Sequence, residues 1–281
     1  MGFATVFKDD VRNAARSYVV VGVIGVFAAL VSLVFIAEID VYDAPFRAIF
    51  DASFLLFMIF PLVIAPLTYL AIAGDRSRGT IKFVLGLPNS RLEYFFAKYV
   101  SRATIAVAAV AIATGSAFLI AALFYVESPD FVRFLKFLGL SALFAMAMAG
   151  TFVTVSAMTR TRSRAMIGVF GAYFVLGPFW LGFIPVIGLD TVVDAITSAL
   201  GVELAESTRQ LIGVLSPSTA YLESTELIYT GVFERYRAIS SIRSETDYLA
   251  DRTWFAVLVM AAWATVVPLL GFLRFRSVEV G

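Results

Sequence analysis

Six long stretches of the chain are almost free of charged residues, and shorter polar segments separate them. The stretches cover residues 18–37, 54–73, 103–126, 137–158, 165–187 and 254–273. Each has about 20 residues or more, which lets an α-helix cross a hydrocarbon core of about 30 Å at a rise of about 1.5 Å per residue. We therefore predict an all-α membrane protein with six transmembrane helices, built as a single membrane domain over residues 1–281.

The first 17 residues do not form a span but carry a helical pattern of their own. Basic residues recur every four positions at Lys8, Arg12 and Arg16, on a different face from the apolar residues. The apolar positions are Phe3, Val6, Phe7, Val11, Ala14 and Ala15. This pattern predicts an interfacial amphipathic helix along the membrane surface. A simple basic anchor that sets the topology is the alternative.

Lys and Arg residues are distributed unequally between the two sides of the predicted bundle. The N-terminus, the loops 74–102 and 159–164 and the C-terminus together hold fourteen of the 22 basic residues. The short loops on the other side hold Arg47, Arg133 and Lys136. Because short cytoplasmic loops are enriched in Lys and Arg, we expect a multi-pass protein of the cell membrane with both termini cytoplasmic. The segment 188–252 is then extracytoplasmic.

Composition narrows the possible chemistry. Hydrophobic residues make up 60% of the chain and charged residues 15%, against about a quarter charged in soluble domains. The absence of Cys and His excludes disulfides, thiolate metal sites, Cys nucleophiles and imidazole acid–base catalysis. The net charge of +1 gives no indication of nucleic acid as a partner. We predict no catalytic, cofactor-binding or metal-binding residues, and hence no enzyme.

The spans also lack the usual means of energy coupling. No ionisable residue lies in the middle of any span, whereas ion-coupled transporters usually need such groups or broken helices there. Four prolines, at positions 61, 66, 178 and 185, are interpreted as ordinary kinks. The chain contains no GxxxxGK[ST] motif for binding ATP phosphates. If the protein is a transporter, its energy comes from another subunit.

The loop 74–102 carries the most specific pattern in the chain. Thr80, Phe83, Val84 and Leu87 recur at helical spacing and predict a short helix with an apolar face, which Pro88 ends. Ser90-Arg91-Leu92-Glu93 has the form of a capping box, so a second helix starts at Ser90 and continues into the third span. A helix, a sharp break and a second helix fit either a docking element for a partner or an ordinary helical hairpin.

These residues resemble the cytoplasmic loop of ABC-2 type transporter permeases. The family pattern has an acidic–basic pair, Gly-Thr, an apolar stretch, Pro, a small polar residue, Arg, and a Lys on the following helix. This chain has Asp75 where most members have Glu, a shorter carboxylate that could weaken its ion pairing. The interfacial helix, the six spans and the long segment between spans five and six also fit, as does the short string Leu215-Ser216-Pro217.

The resemblance implies a permease subunit, most simply an exporter, that pairs with a second permease copy, either identical or related, among the membrane lipids. A separate ATP-binding-cassette ATPase subunit would dock on the loop 74–102 as a coupling element and hydrolyse the ATP. The docking residues that the resemblance implies are Asp75, Arg78, Gly79, Thr80, Ile81, Phe83, Leu87, Pro88, Ser90, Arg91 and Lys98. A membrane scaffold or assembly protein without transport is the alternative.

The segment 188–252 is too long for a plain turn. One amphipathic run carries Val192, Val193, Ile196, Ala199 and Leu200, and a second extends from Leu204 to Leu215. We expect short helices that either cap the outer mouth or partly re-enter the bilayer. Such helices could form an outer gate or a packed cap with no part in transport.

Overall fold

The computed structural model describes residues 2–86, 90–183, 187–233 and 248–277, and within these ranges every regular element is a helix. The α-helices in chain order are α1 (Phe3–Ala15), α2 (Tyr18–Ala37), α3 (Phe46–Thr68), α4 (Ala73–Ser77), α5 (Thr80–Gly86), α6 (Arg91–Phe124), α7 (Phe131–Met158), α8 (Arg162–Phe174), α9 (Leu189–Leu200), α10 (Glu206–Val214), α11 (Pro217–Ser224), α12 (Glu226–Tyr229) and α13 (Thr253–Arg276). A π-helix, Val175–Phe179, follows α8, and a 3₁₀ turn, Leu249–Asp251, precedes α13. The predicted all-α membrane fold is confirmed.

Five helices in the described part of the chain are long and apolar enough to cross a membrane. These candidate spans are α2, α3 together with its continuation through α4 to Ser77, α6, α7 and α13. The first predicted span, 18–37, coincides with α2. Pro61 and Pro66 lie inside α3 without ending it, as predicted for kinks.

The predicted span 165–187 differs from a continuous α-helix. Its α-helix, α8, ends at Phe174 after 13 residues, and a π-helix that contains Pro178 continues the path. Proline lacks the N–H of the regular helical ladder and clashes with the carbonyl four residues earlier, so the helix type changes. The chain then turns at Gly182, whose φ is +64°, and residues 184–186, including Pro185, lie outside the described residues.

Helix α7 lies at the centre of the bundle and packs against α3, α6, α8, α11 and α13. The contact between α7 and α13 is close because each of the two helices contributes a glycine to it. A Cβ atom at Gly150 would lie 2.7 Å from Pro268, and one at Gly271 would lie 2.5 Å from the Thr154 hydroxyl. Small residues at such a crossing let two membrane helices approach closely.

The bundle has two distinct ends. The α1 end carries α1, α4 and α5. Arg91, at the start of α6, donates a hydrogen bond of 2.7 Å to the carbonyl of Arg276. The last turn of α13 therefore lies at the same end. The α9 end carries α9 to α12. The first and last described residues, Gly2 and Ser277, therefore lie at the α1 end.

Part of the segment 188–252 enters the bundle of helices. The indole of Trp263 donates a hydrogen bond of 2.8 Å to the carbonyl of Leu215, the residue after α10. Trp263 lies ten residues into α13, about 15 Å along its axis. The Tyr221 ring stacks on Phe144 of α7 at 4.9 Å, and its hydroxyl is 2.9 Å from that of Ser141. The segment between α10 and α11 therefore reaches into the bundle from the α9 end.

We expect Gly271→Ala to lower the thermal stability of the detergent-solubilised protein, because the new methyl group overlaps Thr154. The expected cost is about 1–3 kcal/mol of overpacking. Gly139→Ala on α7 is the control, because a Cβ atom there meets nothing within 4 Å. Both substitutions improve helix propensity equally, so a melting temperature that falls in both variants would contradict the close α7–α13 contact.

Candidate functional site

The loop between α3 and α6 folds as two short helices joined by a tight turn. Gly79 supplies the turn with a φ of +74°, in the left-handed region that glycine adopts without strain. The next residue, Thr80, begins α5, and its hydroxyl donates a hydrogen bond of 3.1 Å to the carbonyl of Asp75. These two residues therefore fix the direction in which α5 leaves α4.

Helix α5 has one buried side and one exposed side. Ile81 is 1% exposed and packs in a cluster with Ile72, Tyr94 and Phe95, whereas the Phe83 side chain is 78% exposed. The predicted apolar positions Thr80, Phe83, Val84 and Leu87 did not specify which side of the helix the bundle covers, and the structure places Phe83 on the exposed side. Residues two apart on a helix point in nearly opposite directions, so burial of Ile81 turns Phe83 outward. Leu87 and Pro88 lie outside the described residues.

The predicted capping box at the start of α6 is confirmed. The backbone N–H of Glu93 donates to the Ser90 hydroxyl at 3.1 Å, and the Ser90 backbone N–H donates to the Glu93 carboxylate at 2.9 Å. Arg91 follows the cap and bonds the carbonyl of Arg276 on α13. Ser90 and Arg91 thus shape the loop, whereas three other predicted residues, Asp75, Arg78 and Lys98, belong to a charged cluster.

That cluster is centred on the ammonium group of Lys98. It lies 2.8 Å from a carboxylate oxygen of Asp10 on α1 and 2.9 Å from one of Asp75 on α4. The Lys98 side chain is 11% exposed, so this ion pairing is almost hidden from water. Lys98 therefore joins three elements: α1, α4 and its own helix, α6.

Each carboxylate has further partners. Arg102 lies 3.0 Å from Asp10, and the Ser101 hydroxyl donates to Asp10 at 2.7 Å. The Tyr94 hydroxyl donates to Asp75 at 2.8 Å, and Arg78 lies 3.2 Å from Asp75. The buried carboxylate of Asp10 and the half-buried carboxylate of Asp75 are, with this many donors, satisfied in their ionised form.

Sequence reasoning missed Asp10, Tyr94, Ser101 and Arg102. Asp10 is four residues from both Val6 and Ala14, so a carboxylate interrupts an apolar stripe on α1, and that interruption is a usable signal. The predicted amphipathic helix itself is confirmed, and its basic residues lie on the exposed side. Its buried side, however, packs on α6 through an ion pair and not only through apolar contacts.

A second basic side chain connects the loop to α7. The guanidinium group of Arg76 donates to the carbonyls of Ala157 and Thr159 at 3.1 and 2.6 Å and lies 5.9 Å from the ring centre of Phe275. Arg162, at the start of α8, donates to the Ser77 hydroxyl at 3.0 Å. The loop 74–102 is thus attached to α7 and α8 as well as to α1 and α6.

A cleft of about 390 Å³ opens beside this cluster. Its walls come from α1, α4, α5 and α6, and include Asp9, Asn13, Asp75, Thr80 and Lys98. In the described part of the chain, no three Asp or Glu side chains lie close enough together to hold a metal ion. The arrangement has the form of a protein-binding surface. The exposed side chain of Phe83 lies on α5, and the packing of Ile81 holds that helix against the bundle.

We expect Lys98→Met to destabilise the protein strongly, because it leaves Asp10 and Asp75 buried without their shared cation. Breaking a buried ion pair on one side costs about 3 kcal/mol or more. Arg78→Met is the matched control, because the Arg78 side chain is 55% exposed and an exposed pair contributes about 1 kcal/mol or less. Equal melting temperatures for the two variants in detergent would contradict the central position of Lys98.

Comparison with known proteins agrees with this geometry. The model of the family described as "ABC-2 family transporter protein" matches residues 4–280, nearly the whole chain. A search of curated proteins gave no match. The match covers both the charged cluster at the α1 end and the helices that enter the bundle at the α9 end. The chain therefore belongs to the ABC-2 transporter family and is a membrane permease of an ABC transporter.

Proposed function

We propose that the chain docks a separate ATP-binding-cassette subunit through α5, and that ATP hydrolysis on that subunit drives transport through the membrane helices. Residues 1–281 then act as one permease domain, with the interfacial helix in 1–17, the coupling loop in 74–102 and an extracytoplasmic segment in 188–252. Fourteen of the 22 basic residues flank the spans at the α1 end, which supports a cytoplasmic location for that end and for both termini in the cell membrane.

The observation that carries this proposal is the exposure of Phe83 on a helix that is otherwise fixed. Large aromatic side chains at the centre of an interface contribute much of its binding energy when they enter a pocket of the partner. Phe83 is available for such a contact, and Ile81 on the opposite side of α5 holds the helix against the bundle. The proposed docking site includes Asp75, Arg78, Gly79, Thr80, Ile81, Phe83, Leu87, Pro88, Ser90, Arg91 and Lys98.

The attachments of the loop supply the route by which movement of the partner would reach the spans. Asp75 connects the base of α5 to α6 through Lys98, and the same ammonium group connects it to Asp10 on α1. Helix α1 continues into α2 after two residues. Arg76 connects the loop to the end of α7. A displacement of α5 would therefore move α1, α2, α6 and α7 together.

We propose that two permease copies, identical or related, pair in the membrane and form a path between them, with export as the direction. The alternative is a scaffold or assembly protein without transport, and this alternative does not explain why Phe83 is exposed. A scaffold also predicts no ATP-binding subunit in the isolated complex.

We expect Phe83→Ala to abolish co-purification of the ATP-binding subunit while the permease still inserts and folds. Loss of a central aromatic contact costs about 2 kcal/mol or more, or roughly thirty-fold in Kd. The matched control is Phe131→Ala, which removes a ring that is 64% exposed at the start of α7, at the α9 end. Affinity purification followed by quantification of the bound subunit measures the effect, and undiminished binding in Phe83→Ala would refute docking through α5.

A further inference from the structure

Helix α9 combines a regular amphipathic pattern with an absence of packing. Val192, Ile196 and Leu200 follow one another at four-residue intervals and are 41%, 53% and 70% exposed. Asp190 and Asp194 lie on the other side of the helix. None of the twelve residues of α9 is buried by the described part of the chain. The described part of the chain therefore leaves the aliphatic face of α9 uncovered.

The polar side of α9 is held in place. Arg209 on α10 lies 2.6 Å from Asp194 and 3.7 Å from Asp190. The helix ends at Gly201, whose φ of +63° allows the N–H of Val202 to bond the carbonyl of Thr197 at 3.0 Å. Since the two aspartates face α10, the aliphatic residues point away from it. An isolated helix of this length is marginal in water, so contact of that face with an apolar phase would stabilise α9.

The position of α9 along the axis of the bundle indicates which apolar phase its aliphatic face would contact. Just before α9, the ring of Phe183 lies 6.2 Å from that of Phe54 and 6.1 Å from that of Phe57 on α3. These two rings directly follow Asp51, which pairs with Arg47 and is the last charged residue of α3. The apolar part of α3 therefore begins at this level, which is where a membrane surface would meet the bundle.

The start of α9 stays close to the same level. A Cβ atom at Gly188, the residue before α9, would lie 3.1 Å from the Cα atom of Gly182, which is the neighbour of Phe183 in the chain. The polypeptide thus returns to the edge of the apolar zone before α9 begins.

We propose that α9 is an interfacial helix that inserts its Val192–Ile196–Leu200 face into the lipid leaflet at the α9 end and keeps its aspartates in water. Exposed apolar residues of the spans at this end, such as Leu123 and Phe124 of α6, would meet lipid in a membrane, and the α9 face would continue that surface. Amphipathic helices of this kind bury their apolar face about 5–10 Å into the boundary between headgroups and acyl chains. Because the polar side carries Asp190 and Asp194, apolar burial and not attraction to anionic headgroups supplies the binding.

The natural absence of cysteine allows a direct test on the full chain. Ile196→Cys places a single thiol on the aliphatic face, and Ser198→Cys places one on the exposed polar side of the same helix. Each variant is labelled with an environment-sensitive fluorophore and reconstituted into phosphatidylcholine vesicles. Quenching by a lipid with a nitroxide near the headgroup is then compared with quenching by aqueous iodide.

We expect the label at position 196 to be quenched several-fold more by the lipid nitroxide than by iodide, and the label at position 198 to show the reverse. Strong iodide quenching at both positions would overturn the proposal, because the aliphatic face would then lie in water. Efficient disulfide linkage of two unlabelled Ile196→Cys chains on mild oxidation would also overturn it, because a second copy would cover the face. The measurement uses the permease alone, so its result is independent of docking through α5.

Discussion

The buried ammonium group of Lys98 is stable only while it keeps carboxylate partners, because a desolvated charge without a counter-charge costs several kcal/mol. Those partners, Asp10 and Asp75, come from two different elements, and the three side chains can meet only if α1, α4 and α6 pack together. This requirement places the N-terminal helix beside the loop 74–102 and determines how α5 leaves the bundle. It also means that α1 is attached to the body of the protein and is more than an anchor on the membrane surface.

At the α9 end, neutral donors hold the segment that enters the bundle. The indole N–H groups of Trp180 and Trp263 donate to the carbonyls of Gly213 and Leu215 near the end of α10, both at 2.8 Å. The Ser216 hydroxyl bonds the carbonyl of Leu176 in the π-helix. A backbone carbonyl that is free in an apolar medium costs several kcal/mol, so a segment that enters the bundle needs such donors. Buried ion pairs therefore fix the end where we propose that force is applied. At the opposite end, hydrogen bonds from tryptophan and serine act together with those that Arg133 and Lys136 donate to the carbonyls of Ile228 and Leu227.

Features that depend on local sequence could be predicted, whereas features that depend on tertiary contacts could not. The spans follow from long uncharged stretches, and the start of α6 follows from the Ser90–Glu93 capping box, because both signals lie within a few turns of one helix. The pairing of Asp10 with Lys98 joins residues 88 apart, and no local pattern links them. The outward direction of Phe83 depends on which side of α5 the bundle covers. The π-helix at Pro178 could not be predicted either, because a proline alone does not specify a change of helix type: α3 contains two prolines and remains α-helical.

We propose that this permease works with a separate ATP-binding-cassette subunit. The most direct measurement is purification of the tagged, full-length chain from its native membranes in a mild detergent, followed by identification and quantification of bound proteins by mass spectrometry. We expect an ATP-binding-cassette subunit in a stoichiometric ratio to the permease. Absence of such a subunit from a preparation in which other membrane complexes remain intact would contradict coupling to an ATPase and favour a membrane scaffold without transport.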